Sequence, residues 1–147
     1  MSSLPDISVQ MLSRTTLLAP VRSMLVSLAE HAGFDEVCCG HIALAVDEAL
    51  ANVIRHGYGG RDDCRVWIHF WHLHEPAGIR VVIEDLARQI EPEHIRGRDL
   101  DDVRPGGLGV HLIRTVMDTT QFEKRPEGGM RLTLEKMVRD EVVPSAA

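Results

Sequence analysis

Apolar residues recur along the chain in two rhythms. Ile7-Ser8-Val9-Gln10-Met11 alternates apolar with polar side chains, the period of a half-buried strand. A longer period follows. Leu18, Val21, Leu25 and Leu28 predict a helix capped by Thr15 or Thr16, running to about residue 31 and ended at Gly33. Cys39, Ile42, Val46, Leu50 and Val53 form the apolar stripe of a second helix over about 36–55. Alternation returns at 65–74, where aromatic and β-branched residues predict a strand. The turn Glu75-Pro76-Ala77-Gly78 and a β-branched strand over 79–84 come next. Between 86 and 107 no apolar period persists, and a loop of that length inside a compact domain usually has a function. A third helix is expected over 108–117, entered through Gly106-Gly107. Strands at 119–124 and 130–137 bracket the turn Pro126-Glu127-Gly128-Gly129 as an antiparallel hairpin, and residues 138–147 read as a frayed tail.

The order β-α-α-β-β-loop-α-β-β predicts an α+β fold. It would be a two-layer α/β sandwich, with helices on one face of a mixed, mostly antiparallel sheet and one domain over 1–137. At 147 residues the chain is long enough to bury a core. With 16 basic and 22 acidic residues the net charge is −6, which gives no support to nucleic-acid binding, although Arg88, Arg96, Arg98 and Arg104 could form a local basic patch. Cys38, Cys39 and Cys64 are too few and too oddly placed for a disulfide framework, which favours a reducing compartment. No signal peptide is visible and no stretch approaches a membrane span, so a cytoplasmic protein without membrane contact is expected.

Three stretches carry candidate chemistry. In the second helix Glu48 and Asn52 stand four residues apart, so they share a face away from Ile42, Val46 and Val53; His41 and Arg55 lie near them, with His56 at the margin. By spacing alone such a pair is common on solvated helices. Val81-Val82-Ile83-Glu84-Asp85 is an apolar strand ending in acids, where a carboxylate could accept a hydrogen bond from an exocyclic amine or simply start a turn. Arg104-Pro105-Gly106-Gly107-Leu108-Gly109-Val110 leads glycines into a helix N-terminus, which lets backbone N–H groups approach an anion. Its spacing is neither a Walker sequence nor G-x-G-x-x-G.

Taken together and in this order, the three stretches resemble the GHKL ATPase superfamily, and within it the small bacterial anti-sigma-factor serine protein kinases. The resemblance spans about 13–136: VDEALANVIRHGY looks like the family's N box, VVIEDLARQIEP like its first glycine box and RPGGLGVHLIRTVMD like its second. It implies a Bergerat-type ATP-binding fold with ATP and Mg²⁺ as cofactors. It implies Asn52 as the Mg²⁺ ligand and Glu48 as the general base. Asp85 would receive the adenine amino group, the amides of Gly107, Leu108 and Gly109 the phosphates, and Arg104 would reach them from the lid. Two positions depart from the family pattern. Ala87 stands where the first glycine box has Gly, and Gly129-Met130-Arg131 replaces a Gly-Thr-Thr opening of the last strand, leaving Thr133 as the nearby hydroxyl at the adenine end. The implied function is a serine/threonine kinase in a partner switch, binding a sigma factor and phosphorylating a small antagonist protein. A homodimer is also implied, for which the strand at 66–73 could serve as contact. The alternative is a non-catalytic regulatory module that binds protein with or without nucleotide.

Other residues read as structural. His69, His72 and His74 lack zinc-finger spacing, and His69 should face away from the other two. Trp67 and Trp71, on the His69 face, are expected in the core, as is Cys39.

Overall fold

The computed structural model describes residues 4–95 and 107–139. Its elements are β1 (Ile7–Leu12), α1 (Leu18–Ala32), α2 (Glu36–Asn52), β2 (Arg65–His74), β3 (Ala77–Asp85), α3 (Gly107–Val116), β4 (Thr119–Lys124) and β5 (Met130–Met137). The five strands form one sheet in the order β1-β2-β3-β5-β4, with every neighbouring pair antiparallel. The α+β sandwich is as expected, and the sheet is wholly antiparallel rather than mixed.

Local chemistry explains most boundaries. Gly33 ends α1 at φ 106°, a left-handed conformation that costs glycine nothing. The opening of α1 differs from expectation. Thr15–Leu17 form a 3₁₀ turn that leads into the helix, and neither Thr15 nor Thr16 supplies a side-chain cap. Asp35 caps α2, its carboxylate accepting the Cys38 N–H at 2.7 Å. Beyond Asn52 the chain winds wider over Val53–Gly57, a π turn in which the Tyr58 N–H reaches back to the Val53 carbonyl at 2.8 Å.

The core lies between the helices and one face of the sheet. From the strands it takes Met11, Val66, Ile68, Phe70, Ile79, Val81, Ile83, Leu132 and Leu134; from the helices Leu25, Cys39, Ile42, Val46, Leu50 and Ile113, all of them buried. Burial pushes the Cys39 thiol up, consistent with a packing role. The helical run Glu36–Gly57 is, among the described residues, long and apolar enough to cross a membrane by length and composition, contrary to expectation. Half of that window is buried, because α2 packs between α1 and α3.

Among the described residues no helix covers the other face, and here two expectations fail. Trp67 and Trp71 stand on this open face, each half-buried, because Val66, Ile68 and Phe70 have taken the inward positions of β2. Polar pairs fill the spaces between them. The Trp67 indole N–H donates to Gln10 Oε1 at 3.1 Å, and Arg80 lies over the Trp71 ring at 5.7 Å. His69 is on this face too, 2.8 Å from Ser8 Oγ and 2.9 Å from Glu84 Oε1, while His72 and His74 point the other way, side by side, with His72 edge-on to His31. The described residues contain no cluster of His, Cys, Asp or Glu able to hold a metal ion unaided. The tail also holds on longer than expected. The Val138 N–H donates to the Ala77 carbonyl at 2.8 Å, and Arg139 pairs with Asp118 at the same distance.

Candidate functional site

The sheet stops short of the C-terminal end of α2, and the gap between them is a cavity of about 240 Å³. Asn52, Val53, His56 and Gly57 wall it from α2 and the π turn; Val110 and Ile113 from α3; Phe122, Met130 and Leu132 from the hairpin; and Asp85, Ala87, Arg88 and Ile90 from the end of β3 onward. The walls are predominantly apolar with a few polar groups at fixed points, the usual character of a small-molecule site.

Asp85 is the polar anchor. It follows Ile79, Val81 and Ile83 on the helix-facing side of β3, so the pleat itself buries it at 5% exposure. Its Oδ1 accepts the N–H groups of Ala87 at 2.9 Å and Met130 at 3.1 Å, so among the described residues Oδ2 is the oxygen left for a ligand. Burial pushes the carboxyl up, opposed by those two N–H groups and by the charge of Arg125.

Glu48 and Asn52 sit on adjacent turns of α2, half-buried, where α3 crosses it. The crossing is close at Gly109. A Cβ there would lie 2.9 Å from Glu48 Oε2 and 3.6 Å from Asn52 Nδ2, so a larger residue would push the Glu48 carboxylate aside. The structure thus brings Glu48, Asn52 and Gly109 together, and of these Asn52 lines the cavity along with Asp85 and Ala87. Gly107 and Leu108 open α3; Arg104, like Arg96 and Arg98, lies outside the described residues, so of the anticipated basic patch Arg88 alone is described, on the cavity wall.

Thr133 does not line the cavity. Leu132 and Leu134 face the helices, so Thr133 between them points to the open face, paired in register with Val82. Met130 and Leu132 line the cavity where a hydroxyl had been expected. Ala87 needs no strained backbone, since no non-glycine residue described has positive φ. Its methyl packs on the bare backbone of Gly57, where an added Cβ would stand 3.1 Å away.

Residues 11–136 match the family model described as the histidine kinase-like ATPase domain. The chain belongs to that family. This histidine kinase-like ATPase domain is 26% identical over 148 residues to the serine-protein kinase RsbW of Listeria monocytogenes serotype 4a (strain HCC23), covering 96% of this chain and 92% of that protein. It is 27% identical over 139 residues to RsbW of Halalkalibacterium halodurans, covering 88% and 82%. Among solved structures it resembles the RsbU and RsbW domains of Rv1364c from Mycobacterium tuberculosis, with TM-score 0.58 and 17% identity over 92% of this chain. It spans 34% of that longer chain. The Erythrobacter litoralis EL346 blue-light activated histidine kinase aligns with TM-score 0.54 and 18% identity over 82% of this chain and 41% of its own. At these identities the solved structures speak for the fold alone.

Sequence reading missed the residues that hold Asp85 in place. The Tyr58 hydroxyl donates to the Arg65 carbonyl and accepts the Leu86 N–H at 2.7 Å, tying the π turn to the residue after Asp85. Burial pushes this phenol up, so it stays a neutral donor. Gln89 Nε2 donates to the carbonyls of Arg125 at 2.8 Å and Gly129 at 3.1 Å. Tyr58 lies within the N-box stretch and could have been singled out there; Gln89 and Arg125 carry no local signal.

Proposed function

We propose that this chain is an ATP-dependent serine/threonine protein kinase acting as a partner switch in the cytoplasm. It would phosphorylate a small antagonist protein on serine and bind a sigma factor, as a homodimer, without contact to nucleic acid or membrane. One observation carries the reading: Glu48 and Asn52 meet at Gly109, and Asn52 lines an apolar cavity together with the buried Asp85, whose Oδ1 is held by two backbone N–H groups. The relatives named serine-protein kinase RsbW support it.

The residues suit a purine nucleotide. Asp85 presents an acceptor to an amino group, apolar walls flank the ring plane, and the first turn of α3 offers backbone N–H groups to phosphate. Asn52 would hold Mg²⁺ through its amide oxygen, with phosphate and water completing the shell, since no carboxylate cluster among the described residues could hold the ion alone. The ion would supply neutralisation of phosphate charge. Glu48 would take the proton of the acceptor serine as that oxygen displaces ADP from the γ-phosphoryl group. Phosphoryl transfer asks the protein mainly for positioning and charge, which a constellation this small can provide.

The test is titration calorimetry with MgATP, beside phosphotransfer to a candidate antagonist. Asn52→Ala should abolish magnesium-dependent binding, and Glu48→Gln should keep binding but slow transfer by about 100-fold or more. Transfer at wild-type rate in Glu48→Gln would remove Glu48 as the base. A second reading draws on Ala87 and Met130, whose side chains stand in the cavity wall. In it the chain is a non-catalytic protein-binding module, and Glu48→Gln leaves signalling untouched.

A further inference from the structure

The turn between β4 and β5 does more than reverse the chain. Its Arg125 is largely buried and points back across the sheet to the end of β3. There Nη1 donates to the Asp85 carbonyl at 2.8 Å. Nε stands 3.0 Å from Glu84 Oε2 with its N–H not aimed at that oxygen, so the contact is one of charge. The guanidinium also lies 5.6 Å over the Trp67 ring, and Nη2 is 3.6 Å from Glu127 Oε2. The turn is itself braced against the same segment. Gln89 holds the Arg125 and Gly129 carbonyls, and Gly129 fits so closely that a Cβ would fall 1.9 Å from the Asp85 oxygen.

These contacts converge on one peptide unit. Any movement of the Asp85 carbonyl rotates the carboxylate that anchors the cavity, because the two share a Cα. We propose that Arg125 is the positioning residue for Asp85, fixing its backbone and supplying the positive charge that suits its carboxylate to an amino-bearing purine. The inference rests on the nucleotide-binding reading above and deepens it by naming what sets the base preference.

The charge acting on Asp85 is local. Around Asp85, the hairpin contributes Arg125 and Glu127, the π turn His56 and Tyr58, and the segment after β3 Arg88 and His94. Of these, Arg125 and the two backbone N–H groups oppose the upward push of burial on Asp85. Removing the guanidinium charge therefore raises the pH at which Asp85 ionises. With Oδ1 held by two backbone N–H groups, a proton on Asp85 sits on Oδ2 and turns the oxygen left for the ligand amine from acceptor to donor, so binding is lost from the acid side earlier in pH.

The experiment uses the full chain with Arg125→Gln and Arg125→Lys, checked for folding by circular dichroism. MgATP and MgITP, which carries a 6-oxo group in place of the 6-amino group, are titrated across pH 5 to 8. In parallel the Asp85 carboxyl ¹³C resonance is titrated without nucleotide. In Arg125→Gln, MgATP affinity should fall by about 10- to 100-fold, the size expected for a charge-assisted contact. The preference for MgATP over MgITP should shrink, and the Asp85 midpoint should rise. Arg125→Lys should restore the midpoint while recovering only part of the preference. An unchanged Asp85 midpoint, or an equal loss of both nucleotides, would make Arg125 a merely structural brace and overturn the proposal. If Arg125→Gln fails to fold, Arg125→Lys decides it by the same preference, which a wild-type value would refute. Wild-type protein that binds neither nucleotide while its Asp85 midpoint still responds to Arg125→Gln would overturn the nucleotide reading and leave only the charge relation standing.

Discussion

Glu84 and Asp85 follow one another at the end of β3, yet the pleat sends the first to the open face of the sheet and the second to the helix-covered face. Their fates diverge from there. Burial alone would push Glu84 up, but the hydrogen bond and charge of Arg131, with Arg125 and His69, outweigh it and hold the carboxyl below its usual range. Asp85, buried more deeply and given two backbone N–H groups and one nearby cation, is pushed up. One carboxylate is a structural hub; the other is kept under-satisfied in a cavity. A carboxylate that the fold leaves incompletely paired is poised for a ligand, whereas one already saturated by Arg has nothing left to offer.

The sharpest way to break this contrast is at the turn that touches both residues. Gly129→Ala would place a Cβ 1.9 Å from the Asp85 oxygen at a residue whose φ is +77°. It should cost about 3 kcal/mol or more, read as a large fall in the thermal midpoint, and disrupt both carboxylate environments together. Glu84→Gln acts on the open face alone. It removes the negative charge facing Arg131 and Arg125, which approach Glu84 Oε2 at 3.0 Å, and should cost about 1–2 kcal/mol at neutral pH. The sign with pH follows from the lowered carboxyl. Its stabilisation is full above the unfolded-state pKa and is lost as pH falls through the folded one, so wild type and variant should converge in acid melts. Asp85→Asn should have the smallest and opposite effect on stability. An amide oxygen can still accept from Ala87 and Met130, while the cost of burying a charge disappears. The thermal midpoint should rise by roughly 3 °C at neutral pH, and the gain should vanish below the unfolded Asp pKa, where the wild-type residue is protonated in both states. The same variant should bind no MgATP by calorimetry, so stability and binding move in opposite directions.

Much of this arrangement was legible in the residues. Period and punctuation placed the three helices and five strands, because an amphipathic face is a local property that each segment displays on its own. What alternation cannot say is which face the helices will cover. Trp67 and Trp71 carry more apolar area than Val66 and Ile68, yet they lie outward, since three inward β2 residues suffice against α1 and α2. Thr133 was misplaced for the same reason: its parity on β5 follows Arg131, and Leu132 and Leu134 claim the inside. Spacing put Glu48 and Asn52 on one face of α2 and the apolar run put Asp85 at a strand end, but only the family resemblance marked the three as candidate site residues. Arg125 was not, because its importance arises only when β5 returns beside β3 and lays the hairpin turn against Asp85.

The contact between Gly57 and Ala87 also bears on how chains of this kind change over generations. Between them the two positions have comfortable room for a single methyl group, and here position 87 holds it. Two single steps lead from this arrangement to its mirror, with the methyl on position 57 instead. Shrinking Ala87 first opens a small void that the second step fills. Enlarging Gly57 first passes through a crowded intermediate at the wall of the cavity. At 3.1 Å the two positions compete for the same space, so small residues there should tend to be inherited together rather than drift independently.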